Sequence, residues 1–259
     1  MSNTKGNQYP LWGINNNFQV FAIDTTGKTH TMSNENFAMK ISVSEDGTVW
    51  VSSTTPDPDG GGSKLYWSNG DSNWTEINTP DPGGISVAGG QADNCFYLTF
   101  DGEIRIVDTN SNNKLYYSSN IIEEFDYGGG MVWAIMPMKK GGTPCLQYSD
   151  VNKLEWKPFV GNPQPFSISV DSQGNCKAVA DLSPVYYSND GTSTGSAGSG
   201  LNGKAIFISA KSWTFALSID ANENGNLIYE WQDEEGGTFM TMTGSRGISI
   251  AASYYRGTH

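Results

Sequence analysis

Two short phrases return along the chain at intervals of about forty residues. The first reads Lys-Leu-Tyr-Trp-Ser at residues 64–68 and Lys-Leu-Tyr-Tyr-Ser at residues 114–118, and shorter copies begin at Leu146, Val185 and Leu227. The second phrase, Ile-Ser-Val at residues 41–43, is echoed by segments that begin at Ile85, Ile168, Ile206 and Ile248. Repeats of this length, built from short β-rich segments, are typical of a β-propeller, so the sequence predicts an all-β fold.

Each repeat predicts one four-stranded antiparallel blade. The Ile-Ser-Val phrase suits the inner strand that lines the central channel, and a second strand follows a turn such as Asp46-Gly47. The aromatic phrase is expected to form the third strand, and segments around Trp74 and Trp156 the fourth. The Gly- and Ser-rich stretch 191–203 shows no such segment, so we expect a long flexible loop there.

The two chain ends are predicted to complete one blade together. Predicted inner strands start near residues 41, 85, 125, 168, 206 and 248, and the last has almost no chain after it. The segment Phe18–Ile23 has strand character but no inner strand before it. A shared blade would remove the free sheet edges of an open array. We therefore expect six blades in a single domain over residues 9–259, with residues 1–8 flexible; five or seven blades are the alternatives.

Charge and composition exclude several partner classes. The net charge is −12 and only three arginines occur, whereas nucleic acids and anionic membranes both require a cationic face. The N-terminal residues are polar, and no apolar run is long enough to cross a membrane, so we expect neither a signal peptide nor membrane insertion. Three cysteines without metal-type spacing favour reduced thiols and cytosolic synthesis, which leaves later release by a non-classical route open.

The repeats resemble those of tectonin-type propellers. The phrases Thr48-Val49-Trp50 and Leu11-Trp12-Gly13-Ile14 are most similar to that family's repeats. The family contains propeller lectins that bind glycans on cell surfaces, and several are defence proteins made without a signal peptide. The resemblance therefore implies a lectin with repeated sites, working as a monomer or small homo-oligomer in defence or toxicity, with no cofactor.

Aromatic residues and aspartates gather in the third-strand to fourth-strand segments. A ring can stack on the apolar face of a sugar, and a carboxylate can accept hydrogen bonds from its hydroxyls, so such clusters suit shallow sites on a rigid scaffold. Rings that pack between blades and aspartates that shape turns are the alternative interpretation. The candidate carbohydrate-binding residues are Trp67, Asp71, Trp74, Tyr117, Tyr148, Asp150, Trp156, Tyr187, Asp190, Tyr229 and Trp231.

Catalysis is not expected. Phrases such as Ser188-Asn189-Asp190-Gly191-Thr192 are similar to the hairpins of sialidase propellers, but a sialidase needs an arginine triad, and Arg105 lies far in sequence from Arg246 and Arg256. The only histidines are His30 and the terminal His259, which leaves little for a nucleophilic triad. A sialidase-like glycoside hydrolase, or another hydrolase with paired carboxylates in the channel, is thus a minor alternative.

Two further hypotheses concern a metal and a protein partner. Asp220, Asn222 and Asn224 match the start of a calcium-binding loop, but the final acidic ligand is missing, which favours a hairpin turn. A protein-interaction propeller that uses its flat face and the 191–203 loop as a docking surface is the main alternative to a lectin.

Overall fold

A computed structural model describes residues 5–56, 63–78, 84–118, 122–138, 141–222, 225–231 and 238–255. Within these ranges it contains one 3-10 helix, Lys5–Gln8, and twenty-four β-strands. The described residues include no helix with the length and apolarity needed to cross a membrane.

The strands form six four-stranded antiparallel blades, and each blade extends outward from the central channel. From the inside out, blade 1 is β24 (Ser249–Ala252), β1 (Leu11–Ile14), β2 (Val20–Ile23) and β3 (Thr29–Thr31). Blade 2 is β4 (Ala38–Val43), β5 (Val49–Pro56), β6 (Ser63–Ser68) and β7 (Thr75–Ile77). Blade 3 is β8 (Gly84–Gly89), β9 (Asn94–Thr99), β10 (Glu103–Asp108) and β11 (Asn113–Ser118).

The remaining three blades follow the same order. Blade 4 is β12 (Glu124–Gly128), β13 (Met131–Pro137), β14 (Pro144–Asp150) and β15 (Lys157–Pro158). Blade 5 is β16 (Ser167–Val170), β17 (Cys176–Ala180), β18 (Ser183–Tyr187) and β19 (Thr194–Ser196). Blade 6 is β20 (Ala205–Ala210), β21 (Thr214–Asn222), β22 (Gly225–Trp231) and β23 (Met240–Gly247). Blades 2 and 3 are also joined by one pair, Ser63 with Gly84.

Both chain ends contribute to blade 1, as predicted. The C-terminal strand β24 is the inner strand, and it pairs antiparallel with β1 from Leu11–Ala252 to Ile14–Ser249. The N-terminal segment supplies the other three strands of the blade. Because the C-terminal strand β24 pairs with the N-terminal strand β1, the ring of blades closes without a free strand edge between the two chain ends.

Two sequence predictions differ from the structure. The phrase at residues 114–118 lies in β11, the outermost strand of blade 3, whereas the matching phrase at residues 64–68 lies in the third strand of blade 2. The stretch 191–203 contains a fourth strand, β19, whose Thr194 pairs with Tyr187. The stretch is rich in Gly and Ser, so its sequence gives no strand pattern. Residues 5–8 form the 3-10 helix, and the Trp12 indole donates to the Gly6 carbonyl at 3.0 Å; the expected flexibility of residues 1–8 stays a prediction.

The inner strands align in levels around the channel. We call inner-strand residues that pair with equivalent residues of the second strands a level. One level holds six apolar side chains, all of them buried: Ile41, Val87, Phe125, Ile168, Ile208 and Ile250. The next level along the strands holds Ser42, Ala88, Asp126, Ser169, Ser209 and Ala251. Each side chain of the apolar level packs in a different one of the six hydrophobic clusters between blades.

At the second level, serine side chains of blades 2, 5 and 6 each bond to the next blade. The Ser42 hydroxyl accepts from the Gly89 amide at 2.8 Å, and the Ser209 hydroxyl accepts from the Ala252 amide at 2.9 Å. The Ser169 hydroxyl accepts from the Ala210 amide at 3.0 Å. The N–H groups face the channel side of their inner strands, where their own blade offers no partner strand. The serine hydroxyls accept hydrogen bonds from them, and this stabilises the ring of blades.

The strand order defines two faces. In each blade the inner strand starts at the face that also carries the second-to-third and fourth-to-first connections, which we call the upper face. The first-to-second and third-to-fourth turns form the lower face. Every blade therefore presents the same kinds of connection to the same side.

Candidate functional site

Aspartates at the third-to-fourth turns shape the backbone. The Asp71 carboxylate accepts from the Asn73 amide at 2.9 Å, Asp150 accepts from Asn152 at 2.8 Å, and Asp190 accepts from Thr192 at 2.9 Å. The corresponding turns of blades 1 and 3 begin in the same way with Asp24 and Asp108. Each carboxylate thus caps its own turn, as aspartate commonly does.

Most of the predicted aromatic residues pack between blades. The Trp74 indole donates to the Met32 carbonyl at 2.9 Å and contacts the ring of Phe37. Tyr117 packs on Trp156, with ring centroids 5.1 Å apart. Such pairs are typical of aromatic residues buried between sheets.

The other predicted aromatic residues are also placed against the core. Tyr187 is buried against Phe159, and this burial raises its pKa to about 12. Trp67 and Tyr229 are partly buried, each against the hydrophobic core of its region. The side chain of Trp231 lies outside the described residues.

One group of the predicted residues does meet at a cavity. Tyr148, Asp150 and Asp190 line a cleft of about 210 Å³ between blades 4 and 5 on the lower face, which we call the Tyr148 cleft. The other side chains that line it are Met131, Ser149, Lys153, Glu155, Lys157 and Asn189. The cleft therefore combines one aromatic ring with carboxylates, an amide and two ammonium groups.

Neighbouring residues hold the aromatic wall of the cleft in place. The Tyr148 ring stacks on Trp133 with centroids 4.9 Å apart, and its hydroxyl donates to the Asp190 carbonyl at 3.3 Å. Gly191 has a φ of 78°, and a Cβ there would lie 2.0 Å from the Tyr148 hydroxyl oxygen. Only glycine therefore allows the blade 5 turn and the ring to approach so closely.

The Asp190 carboxylate is ionised and ordered. The Ser188 hydroxyl and the amide and hydroxyl of Thr192 donate to it, and these hydrogen bonds lower its pKa below the usual value. Asn189 is tied to blade 5 by a bond from its side-chain amide to the Gln173 carbonyl at 2.9 Å. The polar wall of the cleft is thus fixed before any ligand arrives.

The central channel is too narrow for a sugar. Its cavity measures about 40 Å³, and it is lined by Lys40, Glu124, Asp126 and Lys211 together with apolar and serine side chains. Asp126 and Lys211 pair at 3.1 Å, while burial raises the pKa of Glu124 to about 7 despite the nearby Lys40. Two carboxylates do meet the channel, but the apolar level of Phe125 lies between them.

The described residues do not assemble a catalytic or metal site. Arg105 pairs with Glu103 at 2.8 Å in blade 3, and Arg246 lies in blade 6, while Arg256 is outside the described residues. His30 bonds to Asp24 at 2.8 Å, and His259 is not described. No group of three or more metal-ligating side chains occurs in the described part of the chain. The side chains of Asp220, Asn222 and Asn224 lie outside it, so the calcium hypothesis stays a prediction.

Sequence reasoning missed the charged pair at the channel. Asp126 occupies the level at which the inner strands of blades 2, 5 and 6 carry serine, and Lys211 follows the inner strand of blade 6. The available signal was the poor copy of the repeat near residue 125, where Phe-Asp-Tyr replaces Ile-Ser-Val.

Comparisons with known proteins support the fold. No protein family matches the sequence, and no curated protein does either. A chain of a nidogen/laminin complex superposes with a TM-score of 0.66 at 9% identity, covering 93% of this chain and 97% of that one. TolB of Acinetobacter baumannii gives 0.64 at 12% identity, covering 94% and 66%, and a TolB-type chain of Agrobacterium tumefaciens gives 0.65 at 11%, covering 94% and 93%.

These solved structures are β-propellers, so the predicted fold class is confirmed. At this identity the likeness concerns the fold alone. Nothing in it specifically supports the tectonin family, and that resemblance stays a prediction.

Proposed function

We propose that the protein is a non-catalytic carbohydrate-binding propeller whose ligand site is the Tyr148 cleft. The observation that carries the proposal is the meeting of Tyr148, Asp150 and Asp190 at one cavity. Tyr148 and Asp150 belong to blade 4 and Asp190 belongs to blade 5. The two groups were predicted independently, each from its own repeat. They supply the stacking surface and the hydroxyl-binding carboxylates that a sugar needs.

The size of the cleft limits its ligand. Its volume of about 210 Å³ is below the range of about 300–1,000 Å³ typical of small-molecule pockets. It therefore suits a single sugar ring that is held on one side and open on the other. Three carboxylates, of Asp150, Glu155 and Asp190, outnumber the two ammonium groups at its wall, which favours a neutral sugar with many hydroxyls over one that carries a carboxylate.

The described residues support only one such cleft, because the aromatic residues of the other predicted clusters pack between blades. A single shallow site gives weak binding, on the order of millimolar. Tight binding to a cell surface would then require several copies of the chain rather than several sites on one copy.

A glycan array run with and without calcium tests the proposal. We expect a related set of glycans to bind, Tyr148→Ala and Asp190→Asn to abolish that binding, and Asp108→Asn to retain it. Asp108 is the matched control, since it caps the equivalent turn of blade 3 but does not line the cleft. A blank array would reject carbohydrate binding. Binding that survives both cleft variants would place the site elsewhere.

A macromolecular docking function is the second candidate. It is favoured by a separate observation, the exposed apolar side chains of the upper face. The two functions use opposite faces and are compatible in one molecule.

A further inference from the structure

One arginine of the chain lines a groove between two blades. Arg246, near the end of β23, borders a cavity of about 140 Å³ that we call the Arg246 groove. The other lining residues are Ser245 of blade 6 and Asn15, Val20, Phe21, Thr29 and Thr31 of blade 1. The strands β3 and β23 both end at the upper face. The groove is therefore on the opposite face from the Tyr148 cleft, and between a different pair of blades.

The guanidinium of Arg246 has almost all of its donors free. It is partly buried, and within the described residues its one hydrogen bond runs to the Gly225 carbonyl at 3.4 Å, which is long for such a bond. Arg105 differs, because its guanidinium donates to the Glu103 carboxylate at 2.8 Å and to the Asn113 amide oxygen at 3.1 Å. A guanidinium carries five N–H donors, and partly buried donors are normally paired. The free donors of Arg246 therefore point to an acceptor that a ligand supplies.

Three hydroxyl groups of the groove are also free. In the part of the chain that the structure describes, the side chains of Thr29, Thr31 and Ser245 make no hydrogen bond. Thr29 and Thr31 pair with Ile23 and Phe21, so they share a face of blade 1 with those two side chains, which pack toward blade 6. Both threonines are exposed, so a solute can reach them. The groove thus combines a guanidinium with three hydroxyl donors.

The lining of the groove carries one cation and no anion. None of its described side chains is acidic, although the chain has a net charge of −12. The nearby Asp24 carboxylate bonds to His30, which pairs with Ala22 and so lies on the face of blade 1 that packs toward blade 2. The Tyr148 cleft has the opposite balance, with more carboxylates than ammonium groups. The Arg246 groove is therefore a locally electropositive site on an acidic protein.

Size and donor geometry indicate a tetrahedral anion. A water molecule takes up about 30 Å³ in the liquid, so the groove holds roughly five such volumes, which matches a sulfate or phosphate group. The guanidinium fork of Arg246 can donate to two oxygens of one anion in parallel. The hydroxyls of Thr29, Thr31 and Ser245 can donate to its remaining oxygen and share the first two. A planar carboxylate has only two oxygens and would leave part of this donor set unused.

We propose that the Arg246 groove binds a sulfate monoester group. Such a group carries a single negative charge, which the one guanidinium compensates. A phosphate monoester carries a charge of about −1.5 to −2 at pH 7, which would leave excess negative charge on a chain that is already acidic. The terminal oxygens of a sulfate ester carry no proton, so every one of them accepts. The proposal does not depend on sugar binding by the Tyr148 cleft.

Titration of the isotope-labelled chain with methyl sulfate, followed by nuclear magnetic resonance, tests the site. We expect the Arg246 side-chain Nε–H signal and the Thr31 amide to shift, with a dissociation constant of ~1–10 mM that rises with added sodium chloride. Methyl phosphate and acetate should bind at least about threefold more weakly. Equal or tighter binding of either anion would overturn the proposal, and so would the absence of a shift at ~50 mM methyl sulfate. A galactose sulfate and tyrosine sulfate then distinguish a glycan from a peptide as the source, and tighter binding of either one supports the site.

Variants locate the bound anion. Arg246→Gln should weaken methyl sulfate binding roughly tenfold or more, and Arg246→Lys, which keeps the charge but loses the fork, should weaken it less. Thr31→Val keeps the shape of an exposed side chain and removes one donor, so it should weaken binding about threefold and tests the groove even if the arginine variants fold poorly. Arg105→Gln is the matched control, since its guanidinium is already paired, and it should leave binding unchanged. An equal loss in Arg105→Gln would show an adventitious ion only and overturn the proposal. Tyr148→Ala should leave methyl sulfate binding intact, so this test and that of the cleft can fail separately.

Discussion

Glu124 should make the stability of the propeller fall between mildly acidic and mildly alkaline pH. Its carboxyl lies at the channel mouth, where burial raises the pKa from 4.5 to about 7. The groups that face it only partly compensate for this burial. The Lys40 ammonium and the Ile168 amide, whose nitrogen lies 3.4 Å from the carboxylate, lower the pKa, and the charge of Asp126 raises it.

The sign and size of the effect follow from linkage. Between pH 4.5 and 7 the folded chain holds a proton on Glu124 that the unfolded chain has released, so the free energy of unfolding falls as the pH rises. With these two pKa values, the loss between pH 5 and pH 8 is about 2.5 kcal/mol. Glu124→Gln keeps the shape of the side chain and removes the titration, so the variant should not show this loss.

Urea unfolding at fixed ionic strength from pH 5 to pH 8 measures the difference. The other titrating groups contribute to both proteins and cancel when the variant is compared with the wild type. We expect the variant to gain about 2.5 kcal/mol on the wild type over this range, with half of the gain reached near pH ~6 and the difference levelling off above the folded pKa. A difference that stays constant with pH would refute the claim that burial neutralises Glu124.

Two more expectations concern the inner strands. Lys211→Met should lower the free energy of unfolding by about 3–5 kcal/mol, because it leaves the buried Asp126 charge unpaired. Adding Asp126→Ser should recover most of that loss in thermal or urea unfolding, and no recovery would contradict the pairing. Ser169→Ala should cost about 1–3 kcal/mol, since it leaves the Ala210 amide without its acceptor. Ser249→Ala removes a buried hydroxyl without a partner and should cost less, so equal losses would count against the inter-blade bonds.

The blade architecture could be predicted because strand pattern and chain ends constrain it together. An inner-strand phrase near residue 248 that no second-strand phrase follows, and an N-terminal segment with no inner strand before it, leave one simple closure. In the structure, the pairing of β24 with β1 forms this closure. Six inner phrases favoured six blades over five or seven, and the strand pairing gives six four-stranded groups.

Register was harder to predict than strand order. Aligning Ile41-Ser42-Val43 with Ile85-Ser86-Val87 is natural in sequence, but pairing in the structure places Ser42 level with Ala88. A shift of two residues keeps every side chain on the same face of a strand, so alternation cannot detect it. The same ambiguity placed the phrase at residues 114–118 in the third strand, because an outermost strand alternates in the same way.

The candidate site was predicted only in part, because its residue types each have two physical uses. Asp71 and Asp190 cap equivalent turns, yet only Asp190 also lines the Tyr148 cleft. Tyr148 and Trp156 belong to the same predicted cluster, but Trp156 packs on Tyr117. Which ring faces a cavity depends on the neighbouring blade, and no short segment of sequence contains that information.

The poorest copy of the repeat is explained by one buried ion pair. Asp126 accepts from the Val170 amide at 2.7 Å, as a serine does elsewhere, but its charge also requires a buried cation. Lys211 supplies it from two blades away. The Lys211 ammonium also donates to the Val170 carbonyl at 2.8 Å, so the ion pair joins the inner strands of blades 4, 5 and 6. Each departure from the repeat would be destabilising alone, and together they compensate. Where a propeller repeat replaces a channel serine by a carboxylate, a lysine should therefore be sought two levels further along in a nearby blade.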